Sequence, residues 1–153
     1  MNHTDRSEAV ILGHLLGEHR ELHSAIAAVR CLLSKRSADG ESGADEVIAA
    51  LNALRAHLHD HFEKEERGGF LEESVTKIPR LAKAVAAVLA DHPRLLTEID
   101  GLIDSLPTGG VSAEAWRSCS AGFDRFAGHL VAHERRENAV VQEGYNEDLG
   151  LVD

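Results

Sequence analysis

A chain of 153 residues, 43% hydrophobic and 27% charged, has the size and balance of one globular domain with a substantial core. Its formal net charge of −10 argues against nucleic acid and anionic membrane as partners, because neither attracts an acidic surface. No apolar run approaches the roughly 18 residues of a membrane helix, and the first ten residues, MNHTDRSEAV, lack the apolar stretch of a secretion signal, so the expected compartment is the cytoplasm.

Few prolines and aromatics, with many Ala and Leu, predict an all-α chain. The first helical pattern runs from about Asp5 to Lys35, with Leu15, His19, Leu22, Ile26, Val29 and Leu33 on one stripe. The polar, glycine-containing SADGESG (Ser37–Gly43) breaks it. A second pattern spans about Asp45 to Arg67, carries Val47, Leu51, Leu54, Leu58, His61 and Glu65 on one face, and stops at Gly68-Gly69.

The third begins near Pro79, a first-turn proline, and continues through Val85, Val88, His92, Leu95, Ile99 and Ile103. After LPTGG (Leu106–Gly110), Ser112 is an N-cap for the fourth, with Glu114 in its first turn. That helix carries Trp116, Phe123, Phe126, Leu130, His133, Glu137 and Val140, and Gly144 is its expected end. Short connections make consecutive helices antiparallel neighbours, so the predicted architecture is an up-down-up-down four-helix bundle. It forms a single domain over 1–153, with its core at about 5–145. Cys31 and Cys119 form no CxxC and read as two small, buried or half-buried thiols.

His61 and Glu65 stand four residues apart, one turn along the same face, and His133 and Glu137 repeat the arrangement. His19 precedes His61 by 42 positions and His92 precedes His133 by 41, so the chain reads as two copies of one unit. Such groups are costly to bury on apolar faces unless paired, hydrogen-bonded or bound to metal. In the predicted topology the second and fourth helices run parallel, which sets the two His–Glu pairs at one height. His19 and His92 then close the cluster from the other two helices. Four imidazoles and two carboxylates make a dinuclear metal centre, read here as di-iron; other divalent metals also suit this donor set. Glu65 and Glu137 are expected to bridge two iron ions together with a solvent oxygen. Six side chains leave coordination positions open for a small ligand.

His57 and His129 lie four residues before His61 and His133, and His23 lies four after His19. These three are expected on one level, as additional ligands, a proton relay or a gate; satisfied histidines at the core edge are the simpler reading. Glu66, Glu134, Glu63 and Asp60 are expected to form a solvated acidic surface, as are His3, His14 and His59 to lie away from the stripes.

The motifs LGEHREL around His19, HFEKEE around His61 and Glu65, LADHPRLL around His92 and HERREN around His133 and Glu137 resemble those of the hemerythrin-like (HHE) family. The resemblance covers essentially the whole chain. It implies that His19, His61, Glu65, His92, His133 and Glu137 are the metal ligands. One departure stands out. Oxygen-carrying hemerythrins have a second histidine one turn beyond the first on the third helix, where this chain has Leu96. That puts reversible oxygen carriage in doubt. It moves the chain toward relatives that handle iron, oxygen, nitric oxide or peroxide. The expected function is therefore a non-haem di-iron protein that binds or reacts with a small diatomic or peroxide ligand, in sensing or detoxification. The alternatives are iron handling (storage, delivery or repair of iron–sulfur centres) and a non-catalytic helical module with a structural metal.

Overall fold

A computed structural model describes residues 3–39, 44–107 and 110–148. Among them are α1 (His3–Asp39), α2 (Asp45–Gly68), α3 (Phe70–Lys77), α4 (Ala82–Asp104) and α5 (Ala113–Asp148), with one 3₁₀ turn at Pro79–Leu81. No β-strand occurs among the described residues. The long helices α1, α2, α4 and α5 pack in a ring, each against its two neighbours. The apolar contacts give their directions. Leu15, His19 and Leu22 pass from one end of the bundle to the other along α1, and Val88, His92 and Leu95 do the same along α4; α2 and α5 run the opposite way. This is the up-down-up-down bundle.

Local chemistry sets the helix ends. Asp45 and Glu46 open α2 and Arg67 closes it, each placed to complement the helix dipole. Gly69 stops α2 in the left-handed region at φ 70°, a backbone conformation that costs glycine little. At α5 the Ser112 hydroxyl accepts the Ala115 N–H at 3.1 Å, the cap its sequence position predicts.

Two elements differ from the sequence reading. The chain after Gly69 forms a further short helix, α3, outside the four long patterns, and α5 continues through Gly144 to Asp148 instead of ending there. An interior glycine costs a helix only about 0.5–1 kcal/mol, and Val140 and Val141, buried in the preceding turn, hold α5 in place. α4 runs unbroken through Pro93, whose ring is on the exposed face.

The core falls into two apolar clusters. The larger joins Leu22, Leu51, Leu58, Phe62, Ile99, Trp116, Phe123, Phe126 and Leu130. The smaller joins Leu15, Leu71, Ile78, Leu81, Val85, Val88, Val140 and Val141, so α3 and the 3₁₀ turn close that end of the bundle. Between the two lies a polar layer made of His19, His61, Glu65, His92, His133 and Glu137, all buried. Cys119 is buried too, but Cys31 is exposed on the outer face of α1; both are free thiols.

Candidate metal centre

α1 contributes His19, α2 His61 and Glu65, α4 His92, and α5 His133 and Glu137. The bundle brings these six together as two overlapping groups. His19 and His61 meet Glu65 and Glu137 on one side, and His92 and His133 meet the same two carboxylates on the other. In each group one donor atom per residue lies within 4.8 Å of the rest. The imidazoles form two perpendicular pairs, His19–His61 with ring centroids 5.2 Å apart and His92–His133 at 5.1 Å.

Each carboxylate divides its oxygens between the two pairs. Glu65 directs Oε1 to His61 Nε2 and Oε2 to His92 Nε2, the latter at 3.1 Å. Glu137 directs Oε1 to His19 Nε2 at 3.0 Å and Oε2 to His133 Nε2 at 3.3 Å. Glu137 is 0% exposed and Glu65 3%.

The layer is under-satisfied by protein groups alone. The Nε2 atoms of His61, His92 and His133, both oxygens of Glu65 and Oε2 of Glu137 are buried without a hydrogen-bond partner among the described residues. Buried polar atoms are rarely left in that state, and six converging in one layer fit a cation with lone pairs directed at it.

Without metal the charges compensate one another. Burial alone would lower the His61 imidazole, but the Glu137 and Glu65 carboxylates beside it outweigh that and push its pKa up to about 10. Burial likewise opposes the charged form of His133, and Glu137 overrides it, again raising the group. Burial would raise the Glu137 carboxyl, yet Glu65 and the imidazoles of His133, His19 and His61 around it hold it well below the usual carboxylate range. Burial and the neighbouring Glu137 push Glu65 up. The two carboxyls are thus driven apart, as two acids that share a site must be.

Outside this layer stand carboxylates that the sequence reading missed. His61 Nδ1 donates to Glu18 of α1. His92 Nδ1 donates to Glu66 of α2 at 3.0 Å, and His133 Nδ1 to Asp91 of α4 at 3.1 Å. A carboxylate accepts, so each of these Nδ1 atoms carries the proton, which leaves Nε2 the nitrogen able to bind a metal. Asp91 is itself held by Arg136 and, at 3.2 Å, by Arg94. Phe62 lies flat on His92, with centroids 3.9 Å apart and planes 8° from parallel.

Glu66 therefore does not merely solvate the surface, and Glu134, also expected to be solvated, is buried and paired with His23. Asp60 is exposed, and Glu63 pairs with Arg67. His14 and His59 are exposed, as expected, while the His3 side chain lies outside the described residues.

The three extra histidines do not join either group. His23 pairs with Glu134, His57 with Glu21 at 3.5 Å and His129 with Glu98 at 2.9 Å, each bridging to an adjacent helix at or near the surface. The reason is helix geometry. Four residues turn a helix by about 400°, a drift of ~40° per step. A run His-x-x-x-His-x-x-x-Glu therefore swings away from the axis, and only its last two members face inward. At the level of His57 and His129 the inward positions belong to Leu58 and Leu130. Leu96, where oxygen-carrying hemerythrins have their second third-helix histidine, is half-buried against the larger apolar cluster.

Two cavities flank Glu65. One of about 290 Å³ lies between α1 and α2 and is lined by His14, Leu15, Glu18, Lys64, Glu65 and Phe70. The other, about 270 Å³, lies on the α4 side and is lined by Glu65, Glu66, Gly69, Leu71, Glu72 and Leu89. No helix among the described residues is long and apolar enough to cross a membrane.

Neither a curated protein nor a solved structure matches the chain. The family model for the hemerythrin HHE cation binding domain matches residues 10–143, which include all six residues of the polar layer. The chain therefore belongs to the hemerythrin HHE cation-binding family.

Proposed function

We propose that this chain is a non-haem di-iron protein whose centre binds or reacts with a small ligand, oxygen, nitric oxide or peroxide, in sensing or detoxification. In this reading His19 and His61 hold one iron, His92 and His133 hold the other, and Glu65 and Glu137 bridge the two with a solvent oxygen. The observation that carries it is the division of each carboxylate's oxygens between the two histidine pairs. A carboxylate serving one ion has no reason to face both.

The iron pair would supply redox electrons and open coordination positions. The protein's part is to keep the six donors in place, to keep three Nδ1 protons on their carboxylates and to exclude bulk water. Leu15, Val88 and Val140 wall the layer on one side, and Phe62, Leu95 and Leu130 on the other. The two cavities beside Glu65, about 290 and 270 Å³, have room for diatomic molecules and peroxide.

A second reading, iron handling, draws support from the α4-side cavity, where Glu65, Glu66 and Glu72 line a path attractive to cations. One experiment separates the two. Protein loaded anaerobically with ferrous iron is exposed in turn to oxygen, nitric oxide and peroxide while its absorption spectrum and free iron are followed. New visible bands with iron retained support ligand chemistry. Unchanged spectra with iron passing to an acceptor support handling. Failure to retain iron under any condition, with zinc bound instead, overturns both and leaves a structural metal module.

A further inference from the structure

The two histidine pairs share their carboxylates but not their support. His92 and His133 each have a carboxylate on Nδ1, Glu66 at 3.0 Å and Asp91 at 3.1 Å. Asp91 is clamped by Arg136 and Arg94, and Phe62 lies stacked on His92. Both imidazoles of this pair are fixed in tautomer and in ring plane.

The other pair is held by less. His61 has Glu18, which is steadied by the exposed Lys64 at 3.4 Å. The Nδ1 of His19 is buried and has no hydrogen-bond partner among the described residues. Among those residues the one hydrogen bond of His19 is made by Nε2, to Glu137 at 3.0 Å inside the layer; no carboxylate holds the proton on Nδ1, and that nitrogen keeps the full desolvation cost of an unpaired polar atom. Partners of this kind typically change metal affinity by about 10–100-fold.

We infer that the two metal positions are unequal in this chain, with the His92–His133 position the tight one and the His19–His61 position the exchangeable one. The inference rests on the two-metal reading above. It assigns Asp91 as the positioning residue of the tight position, acting through His133, and the lack of an equivalent partner for His19 as the source of lability. The cavities do not decide the matter, since one opens on each side of Glu65.

The test is release of ferrous iron from anaerobically loaded protein to an excess of chromogenic chelator. Two ions per chain should leave in two phases of equal amplitude, with rates separated by about 10–100-fold. Shared carboxylates alone couple the positions and can split the phases, so variants make the assignment. Asp91→Ala should accelerate the slow phase toward the fast one and leave the fast phase unchanged. Asp91→Asn, which keeps the shape of the side chain, should do the same to a smaller extent. Glu18→Ala should accelerate only the fast phase.

Two ions leaving at one rate would overturn the inference while sparing the two-metal reading. So would an Asp91→Ala protein that binds two ions with an unaltered slow phase, or with both phases shifted alike. Uptake of fewer than two ions by the parent protein would overturn both.

Discussion

Glu65 and Glu137 lie on parallel helices, and each presents one oxygen to the His19–His61 pair and the other to the His92–His133 pair. Replacing Glu137 by Gln keeps the shape and removes the anion. Metal uptake by Glu137→Gln should fall below two ions per chain, and affinity should fall by more than the roughly 10–100-fold that loss of an outer partner costs. Calorimetric titration with ferrous iron would check this; parent stoichiometry and affinity would show that Glu137 bridges nothing.

Metal removal should destabilise the fold. The layer buries four imidazoles and two carboxylates between two apolar clusters, with six donor atoms unpaired by protein. A ligand that binds only the folded state at 100 times its Kd adds about 2.7 kcal/mol. Chelator-treated protein should therefore unfold at a lower temperature than metal-loaded protein, by several degrees in a calorimetric scan. Coincident transitions would mean that the layer needs no cation.

The pH dependence of the two forms should diverge. The His61 imidazole titrates near 6.5 when unfolded and at about 10 in the metal-free fold. A raised value means that the fold favours the proton, so this stabilisation is complete below about pH 6.5 and is lost as pH climbs toward about 10. His133 and Glu65, also raised, act in the same direction. Glu137 is lowered, so its contribution is present above the ordinary carboxylate range and is lost as pH falls through its folded value. Metal needs Nε2 free of its proton and so binds more tightly as pH rises. Melting temperatures measured from pH 6.5 to 10 should fall for metal-free protein, while the increment due to metal grows. A constant increment would contradict this.

Phe62 joins the larger apolar cluster to the site through its stack on His92. Phe62→Ala should cost about 3–5 kcal/mol in urea unfolding, the usual range for a buried aromatic cut to alanine. A cost below about 1 kcal/mol would mean that the neighbouring side chains collapse into the gap.

The six residues of the layer were legible in the sequence because each sits on an apolar stripe, and because the two His-x-x-x-Glu pairs repeat at matched spacing. Burial and helical period together point such residues at the axis. Glu18, Glu66 and Asp91 were not legible, since each meets its histidine across a helix–helix interface whose register no single helix encodes. The i+4 spacing places His23, His57 and His129 near the layer, but its ~40° drift per step turns them toward Glu134, Glu21 and Glu98 on neighbouring helices. The helix α3 is too short for a long amphipathic pattern, and only the spacing of Phe70, Leu71, Ser74 and Ile78 marks it.

If Glu65 and Glu137 hold two metal ions between the two histidine pairs, the ions themselves should be visible there. Anomalous diffraction at the iron edge from crystals of the iron-loaded protein tests it most directly. Two peaks should lie within the layer, about 3.5–4 Å apart as in two-metal sites generally, each beside two imidazoles and both carboxylates. One peak, or iron held instead at the exposed His59, Asp60 and Glu63 group, would contradict it.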